Sequence, residues 1–410
     1  MPKEQVIASL DIGSSKIRTV IALLEEDKRT PNIIGVGVAP STGMRKGNII
    51  DVDETISNIS AALEDAERMS GAPIHHVFVS VSGSHVESFD SKGVIAISHA
   101  GSEIIEDDIN RVLEAAQAVN MPSNRRILRI IPKTFSVDDQ KGIKNPIGMI
   151  GVRLEVDAHI ITGQSATIKN LEKAVHQAGV DIDDIVPASL AASEAVLSRR
   201  QKELGVVLVD IGCGSTSVSV FEEGVTMHTS FLPVGAESVT NDVAIGLRTS
   251  IDTAEKIKIE YGATVPDEVN DRETIDLSLI SKIDDQKVSK KHLSEIIQAR
   301  YHEIFVMVKD ELRAIGRDGM LPAGAILTGA GVKMPGCADL AREVLGLPVQ
   351  IGFPTEVEGV VDKIDDPAYA TAIGLVVWGS KFEGQSYGFG SVDFKKFFTT
   401  AKGWLKNLLP

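Results

Sequence analysis

Ala8-Ser9-Leu10-Asp11-Ile12-Gly13-Ser14-Ser15-Lys16 and Val207-Leu208-Val209-Asp210-Ile211-Gly212-Cys213-Gly214-Ser215-Thr216 are two stretches with the same pattern, far apart in the chain. In each, an apolar run ends in Asp-Ile-Gly and small residues follow. A second apolar run then begins, Ile17–Leu24 in one case and Ser217–Phe221 in the other. Apolar runs separated by glycine and serine are typical of β-hairpins with tight tips. The repetition therefore predicts two equivalent hairpins.

The residues at the two tips suit the phosphate tail of a nucleotide. Glycine and serine expose backbone N–H groups and hydroxyls that can bond to phosphate oxygens. Asp11 and Asp210 stand just before the tips, where a carboxylate can hold Mg²⁺ directly or through water. A single hairpin of this kind is more often only a tight turn. Two with the same pattern favour a pair of tips that clamp the phosphates from both sides.

Length, charge and cysteine content limit the class of protein. A chain of 410 residues is too long for one compact core, so we expect two domains. A net charge of −15 argues against nucleic acid as the main partner. Cys213 and Cys337 form no metal-type pair and indicate a reducing compartment. No apolar run reaches the roughly 18 residues of a transmembrane helix, and Met1–Gln5 lacks a signal-peptide pattern, which predicts a cytoplasmic protein.

Apolar spacing along the chain predicts further helices and strands. Small residues dominate two of the helices, 187–200 and 369–378, which favours close packing of one helix on another. A strand at 325–328 runs into a glycine loop, which would let a flat ring approach the backbone. The predicted helices are 53–70, 106–119, 167–178, 187–200, 289–315 and 369–378, and the predicted strands are 6–10, 17–24, 33–39, 77–81, 93–98, 126–135 and 325–328.

Glu255 and Lys258 lie three residues apart on a further predicted helix that ends at Gly262, so they share one face. Such a pair is either an ordinary surface ion pair or a pair that grips a ribose or base. Several common nucleotide and hydrolase motifs are absent from the sequence. It contains no P-loop, no Gly-x-Gly-x-x-Gly after a predicted strand and no Gly-x-Ser-x-Gly elbow.

The C-terminal residues form an amphipathic pattern behind a glycine- and serine-rich linker at 379–391. On a helical wheel the apolar residues after 392 fall in one arc of about 140°, with the lysines outside it. This is typical of a helix that lies in a membrane interface, although a terminal helix docked on the protein's own core remains the alternative. The side chains predicted to enter the membrane are Phe394, Phe397, Phe398, Trp404, Leu405 and Leu408.

Burial of these side chains would contribute on the order of 5 kcal/mol, which gives only weak, reversible binding by a monomer. Self-association would strengthen the attachment by avidity. The anchor therefore makes most sense on a protein that polymerises or joins a polymer.

The order of these motifs resembles the superfamily of actin, sugar kinases and heat-shock chaperones. Within it, the chain resembles the FtsA family of actin-like bacterial cell-division proteins over nearly its whole length. The most specific parts are Ser82-Gly83-Ser84-His85, Pro146-Ile147-Gly148-Met149, Ala254-Glu255 with Lys258, Tyr261-Gly262, and the amphipathic tail.

The resemblance implies an α/β, actin-like fold with ATP between two RNase H-like lobes, an inserted α+β subdomain and a C-terminal amphipathic helix. The implied division is 1–82 with 161–200 for the first lobe, 83–160 for the inserted subdomain, 201–227 with 306–378 for the second lobe, 228–305 for a subdomain of the second lobe, 379–391 for the linker and 392–410 for the membrane-targeting helix.

The resemblance also assigns ATP- and Mg²⁺-binding residues by motif, with the metal at Asp11 and Asp210. Relatives often carry Glu just before the proline that opens the first crossing helix, where it positions the attacking water. Val186 stands there and cannot do this, so we expect ATP binding with at most weak hydrolysis. The implied residues are Asp11, Gly13, Ser14, Ser15 and Lys16 in the first phosphate loop, Asp210, Gly212, Gly214, Ser215 and Thr216 in the second, Glu255 and Lys258 at the ribose and base, and Gly329, Ala330 and Gly331 in the adenosine loop.

As a function, the resemblance implies a polymer on the cytoplasmic face of the cell membrane that tethers filaments of the tubulin-like protein FtsZ at the division site. The FtsZ C-terminal tail is expected on 228–305, where Lys290, Lys291 and Arg300 would meet its acidic side chains; an ordinary solvated surface is the alternative. The competing hypotheses are a soluble small-molecule kinase, for which the sequence offers no convincing catalytic carboxylate, and a pilus-assembly or chaperone-like relative.

Overall fold

The computed structural model describes residues 4–25, 30–97, 103–118, 121–280 and 286–381. Strands and helices alternate through the first half of the chain. They are β1 (Glu4–Ile12), β2 (Lys16–Glu25), β3 (Asn32–Pro40), β4 (Met44–Arg45), β5 (Asn48–Ile49), α1 (Val52–Ser70), β6 (His76–Val81), β7 (Val86–Ala96), α2 (Glu106–Gln117), β8 (Arg125–Val137), β9 (Gln140–Ile143), β10 (Arg153–Gln164), α3 (Ser165–Gln177), β11 (Asp181–Pro187), α4 (Ala188–Val196) and α5 (Arg199–Leu204).

The second half alternates in the same way, with short 3-10 turns between some elements. None of the helices in the described ranges is long and apolar enough to cross a membrane. The elements are β12 (Val206–Ile211), β13 (Thr216–Glu222), β14 (Val225–Leu232), α6 (Ala236–Leu247), α7 (Ile251–Tyr261), β15 (Thr274–Asp276), β16 (Lys287–Ser289), α8 (Lys290–Ala314), β17 (Ala325–Thr328), α9 (Cys337–Leu345), β18 (Val349–Ile351), β19 (Glu358–Gly359), α10 (Val361–Ile364) and α11 (Ala370–Ser380).

Two sheets repeat one topology. In the first, β1 and β2 form the predicted hairpin, β3 pairs antiparallel with β2, and β6 and β11 add parallel strands on the other side of β1. In the second, β12 and β13 form the equivalent hairpin, β14 pairs antiparallel with β13, and β17 and β18 add parallel strands beside β12. The strand orders are β11-β6-β1-β2-β3-β19 and β14-β13-β12-β17-β18. The α/β class and the duplication predicted from the sequence are confirmed.

Strand β12 is almost wholly apolar because both of its faces are buried. Val206 and Leu208 pack into a cluster that contains the first sheet, α4 and α11, while Val207 and Val209 pack into a second cluster around α8. Successive side chains of a strand point to opposite faces, so a sheet that is covered on both faces needs apolar residues at both sets of positions.

Helices α4 and α11 cross in close contact, as their small residues predict. A Cβ atom added to Gly374 on α11 would lie 1.9 Å from the carbonyl oxygen of Ala191 on α4. Only glycine permits that approach of two backbones. The crossing lies between the two sheets, because α11 contacts β1, β2 and β6 whereas α4 contacts β12 and β13.

The inserted subdomain is a separate antiparallel sheet, in the order β7-β10-β8-β9, with α2 packed on one face. Its own core contains Ile109 and Val112 of α2 together with Phe135 and Leu154 of the sheet. It also touches the second lobe, since Ser88 Oγ donates a hydrogen bond of 2.5 Å to the carbonyl oxygen of Thr229 on β14.

Some predicted boundaries are wrong. The strand predicted at 93–98 belongs to the longer β7, which begins at Val86. The helix predicted at 187–200 ends at Val196, because Leu197 is extended and Ser198 caps the separate helix α5. Two short strands escape the predicted pattern: β15, and β16, which begins at Lys287. Residues 379 and 380, predicted as linker, continue α11.

Candidate nucleotide-binding site

The two Asp-Ile-Gly tips adopt the same turn. The backbone N–H of Gly13 donates to the carbonyl oxygen of Lys16 at 3.2 Å, and the backbone N–H of Gly212 donates to that of Ser215 at 3.0 Å. In both hairpins the aspartate precedes the tip by two positions. The repeated sequence thus forms a repeated structure, with one copy on each sheet.

The two tips face each other across the gap between the lobes. A Cβ atom on Gly214 would lie 3.0 Å from Ser14 Oγ, so the tips approach to contact distance at this glycine. The Ser15 hydroxyl also interacts with the Cys213 thiol and lowers its pKa, against the larger effect of burial. The sequence pattern predicted two tips, and the structure brings them together.

The carboxylates before the tips share one electrostatic environment. Ser80 Oγ donates to Asp11 Oδ1 at 2.7 Å, and Arg18 Nη1 lies 3.9 Å from Asp11 Oδ2. Burial raises the pKa of Asp11, against the opposing effects of Arg18 and Ser80. Burial raises the pKa of Asp210 to about 6, and the negative charge of Asp11 adds to this effect. The hydrogen bond that Thr371 Oγ1 donates to Asp210 Oδ2 at 3.4 Å acts in the opposite direction and lowers the pKa of Asp210. A buried carboxylate whose ionisation is further disfavoured by a second carboxylate favours a cation between or beside the two.

Magnesium fits this set of donors. Mg²⁺ prefers oxygen ligands, takes few carboxylates and keeps several waters or phosphate oxygens. Among the described residues no group of three or more His, Cys, Asp or Glu side chains is placed to hold a metal. Asp11 and Asp210 would therefore supply only part of a coordination shell, and a phosphate tail with water would supply the rest.

A glycine loop forms a third wall beside Asp210. Gly329 has a φ of 88°, and a Cβ atom there would lie 2.2 Å from Asp210 Oδ1. The Tyr301 hydroxyl donates to the carbonyl oxygen of Gly331 at 2.6 Å and holds the loop against α8. Ala330, which lies between these two glycines, begins a short 3-10 turn. The two glycines thus let the loop backbone pack directly against Asp210 and Ile211.

Glu255 and Lys258 form an ion pair in which the lysine is buried. Lys258 is only 6% exposed, and its Nζ donates to Glu255 Oε2 at 2.6 Å and to Thr240 Oγ1 at 2.7 Å. It also donates to the carbonyl oxygen of Ala236 at 3.3 Å. The carboxylate of Glu255 is half-exposed and accepts from Thr240 as well. A buried lysine fixes the carboxylate in place, which a solvated pair would not do.

Helix α6 connects this pair to the second tip. The backbone N–H of Ala236 donates to the carbonyl oxygen of Gly212 at 3.0 Å, and that of Glu237 donates to Cys213 at 2.9 Å. Burial and the charge of Glu237 raise the pKa of the Cys213 thiol, while Lys258 lowers it. The Thr216 hydroxyl donates to the carbonyl oxygen of Val234 at 2.8 Å, so this predicted phosphate contact already has a partner inside the lobe.

Sequence reasoning missed several residues that shape the site: Arg18, Ser80, Tyr301 and Thr371. Ser80 lies on β6, the parallel neighbour of β1, and Thr371 lies in α11, which crosses beneath the second tip. Only the parallel strand pairing and the helix crossing bring Ser80 and Thr371 to the aspartates, so no local pattern indicates these two residues. Arg18, in contrast, lies opposite Asp11 in the predicted hairpin, so the hairpin register alone indicates it. Val186, the apolar residue before Pro187, is fully buried on β11.

The residues predicted to meet FtsZ are already paired within the chain. Lys290 Nζ lies 2.9 Å from Glu273 Oε2, and Lys291 Nζ lies 2.6 Å from Asp271 Oδ1. Arg300 donates to both carboxylate oxygens of Asp242. The predicted membrane residues, Phe394 to Leu408, lie outside the described residues.

Comparison with known folds supports an actin-like architecture. The PilM protein of a PilM–PilN type IV pilus biogenesis complex superposes with a TM-score of 0.67 at 16% identity, covering 91% of this chain and 98% of that chain. MreB5 of Spiroplasma citri, bound to ADP, superposes with a TM-score of 0.54 at 12% identity, covering 91% and 96%. At these identities the likeness concerns the fold, and it confirms the predicted actin-like class.

Sequence comparison places the chain in one family. Residues 207–374 match the model of the cell division protein FtsA, and residues 83–162 match that of the SHS2 domain inserted in FtsA. The FtsA protein of Pseudomonas aeruginosa is 38% identical, over 92% of this chain and 89% of its own length. That of Bacillus subtilis is 39% identical, over 95% of this chain and 87% of its own length. That of Escherichia coli K12 is 32% identical, over 98% of this chain and 96% of its own. The chain therefore belongs to the FtsA family of actin-like cell-division proteins.

Proposed function

We propose that this chain binds Mg-ATP between its two lobes and serves as a scaffold that polymerises on the cytoplasmic face of the cell membrane and tethers FtsZ filaments during septum assembly. One observation supports the binding of a nucleotide. Two identical turns, one from each sheet, meet at Ser14 and Gly214 with Asp11 and Asp210 directly behind them. A phosphate tail with its metal is the ligand that such an arrangement of amides, hydroxyls and carboxylates suits.

In this proposal ATP acts as a structural ligand. It contacts both lobes, so it favours the closed arrangement by its higher affinity for that state. Val186 offers no carboxylate to activate water, which keeps hydrolysis slow. Glu255, held by Lys258, would bind a ribose hydroxyl, and the loop at Gly329–Gly331 would contact the adenine ring.

Attachment to the membrane is assigned to the tail. Phe394, Phe397, Phe398, Trp404, Leu405 and Leu408 form its apolar side in the sequence pattern, with lysines beside them. One such helix binds weakly, and many along a polymer bind strongly. Polymerisation and membrane binding would therefore reinforce each other.

The FtsZ tail is assigned to the subdomain at 228–305. Lys290 and Lys291 are paired with exposed carboxylates, and such surface pairs contribute little stability, so an acidic peptide can exchange with Glu273 and Asp271 at small cost. Arg300 is bound more firmly, through two hydrogen bonds to Asp242. We therefore expect the lysines to matter more than Arg300 for peptide binding.

Co-sedimentation with anionic lipid vesicles tests the scaffold. The full chain is compared with a chain that ends at Ser391, each with and without Mg-ATP, and with an FtsZ C-terminal peptide in the supernatant. We expect only the full chain to pellet, more of it with Mg-ATP, and to carry the peptide with it. Pelleting of both chains, or of neither, contradicts the membrane assignment. Failure to carry the peptide contradicts the FtsZ assignment.

The soluble-kinase alternative gains no support from the site. The carboxylates that precede the tips, Asp11 and Asp210, are those that would hold a metal, and the position before Pro187 is apolar. Membership of a cell-division family, together with the tail pattern, favours the scaffold.

A further inference from the structure

A small hairpin at the edge of the cleft contacts both phosphate tips. Strands β4 and β5 pair with Met44 opposite Ile49 and Arg45 opposite Asn48, which places Lys46 and Gly47 at its turn. Both residues have positive φ, 49° for Lys46 and 78° for Gly47. A lysine in the left-handed region is uncommon, so the surrounding contacts hold the turn in this conformation.

The turn lies against both tips at once. The backbone N–H of Gly47 donates to Ser14 Oγ at 3.1 Å, which leaves the serine hydroxyl free to donate elsewhere. A Cβ atom on Gly214 would lie 3.0 Å from Lys46 Cα and 3.1 Å from Lys46 N. The hairpin belongs to the first lobe and therefore reaches across the gap to touch the second.

The Lys46 side chain also crosses the gap. Its Nζ donates to the carbonyl oxygen of Pro233 at 3.3 Å. Pro233 precedes Gly235, and a Cβ atom on Gly235 would lie 2.5 Å from the carbonyl oxygen of Cys213 in the second tip. The ammonium group is thus held beside the second tip by one long hydrogen bond to a neutral acceptor.

The back of the turn is braced by the start of the inserted subdomain. A Cβ atom on Gly47 would lie 2.1 Å from the carbonyl oxygen of Ser82, and one on Gly83 would lie 2.8 Å from that of Lys46. This packing of backbone on backbone prevents the turn from moving away from the tips.

We propose that Lys46 binds the terminal phosphate of the nucleotide and distinguishes a triphosphate from a diphosphate. This inference rests on the proposed nucleotide site and adds a residue to it. The Gly329–Gly331 loop stands beside Asp210, which precedes the second tip, whereas the Lys46 turn contacts the tips themselves, at Ser14 and Gly214. The last phosphate of a tail clamped by the tips would therefore lie nearer to Lys46 than to the loop. An ammonium group gains more from a phosphate oxygen than from an uncharged carbonyl, so it exchanges Pro233 for the phosphate when a triphosphate is bound.

Through this exchange the terminal phosphate would act on three parts of the molecule. Lys46 sits on the first lobe, releases Pro233 on the second, and is braced by Ser82 and Gly83, where the chain passes from the first lobe into the inserted subdomain. A diphosphate, with no group at that position, leaves the hydrogen bond to Pro233 intact.

The test measures Mg-ATP and Mg-ADP affinity by calorimetry for the full chain, for Lys46→Met and for the matched control Arg45→Met on the exposed side of the same hairpin. We expect Lys46→Met to weaken ATP binding about tenfold and ADP binding less than about twofold, and Lys46→Arg to restore most of the ATP affinity. Arg45→Met should change neither.

The outcomes separate this inference from the site on which it rests. If the unaltered chain binds neither nucleotide, the proposed site and the role of Lys46 are both wrong. If the unaltered chain binds ATP and Lys46→Met binds both nucleotides as before, or weakens both equally, the site stands and the role of Lys46 is overturned. Thermal unfolding without nucleotide checks that Lys46→Met is folded.

Discussion

Replacing Asp210 with asparagine should stabilise the nucleotide-free protein and abolish its response to Mg-ATP. Burial and the charge of Asp11 raise the pKa of Asp210 from 3.8 to about 6. At about 1.4 kcal/mol per pKa unit, the ionised carboxylate costs the folded state at most ~3 kcal/mol at neutral pH. Asparagine has the same shape, keeps an acceptor for Thr371 and carries no charge. We therefore expect the free energy of unfolding to rise by about 1–3 kcal/mol.

The effect has a defined pH dependence. The folded pKa is raised, so the folded state binds the proton more tightly than the unfolded state does. The penalty is fully present above pH 6 and diminishes as the pH falls from about 6 towards 4. The difference between the two chains should therefore be largest at pH 7 to 8 and shrink at pH 5.

Urea unfolding in EDTA, followed by circular dichroism at pH 7.5 and at pH 5, measures this difference. Asp339→Asn is a matched control, because Asp339 is an exposed residue of α9 whose side chain pairs only with Arg342 in the described contacts. Addition of Mg-ATP should stabilise the unaltered chain and leave Asp210→Asn unchanged. A variant that is less stable in EDTA, or that gains the same stabilisation from Mg-ATP, would refute the reasoning.

Three further substitutions test separate parts of the structure. Gly374→Ala should cost about 1–3 kcal/mol in the free energy of unfolding, because its Cβ meets the Ala191 carbonyl in the α4–α11 crossing; an unchanged urea midpoint would contradict that packing. Tyr301→Phe removes the hydrogen bond to Gly331 and should cost about 1 kcal/mol and weaken ATP binding several-fold in calorimetry, whereas equal affinity would separate this loop from the nucleotide. Trp404→Glu should release the chain from anionic vesicles in sedimentation, and continued pelleting would mean that the tail is not the anchor.

The hairpins and the helix crossing were predictable because their signals are local. Asp-Ile-Gly after an apolar run marks a tip wherever it occurs, and small residues at helical spacing mark close packing. The end of α4 has a local signal as well, since Ser198 and Gln201 form a capping box that starts α5.

Strand β11 could not be predicted in the same way. Asp181–Pro187 contains three aspartates, and its place in the sheet depends on parallel pairing with β6, about a hundred residues earlier. The surroundings of Asp11 depend on the same kind of distant contact, since Ser80 reaches it only because β6 lies beside β1. The spacing of Glu255 and Lys258 is equally typical of a surface ion pair, so the sequence gives no indication that Lys258 is buried.

Disulfide trapping across the cleft tests the central claim most directly. Ser15→Cys places a second thiol on the first tip, beside the native Cys213 of the second, because the Ser15 side chain interacts with the Cys213 thiol. Under mild oxidation we expect peptide mapping to find a disulfide between the introduced thiol at position 15 and Cys213 in the nucleotide-free chain. We expect Mg-ATP to slow its formation, because the phosphates would lie between the tips, and Cys213→Ser to abolish it. Absence of the bond in the nucleotide-free chain, or a rate that Mg-ATP leaves unchanged, would contradict a phosphate clamp between the two lobes.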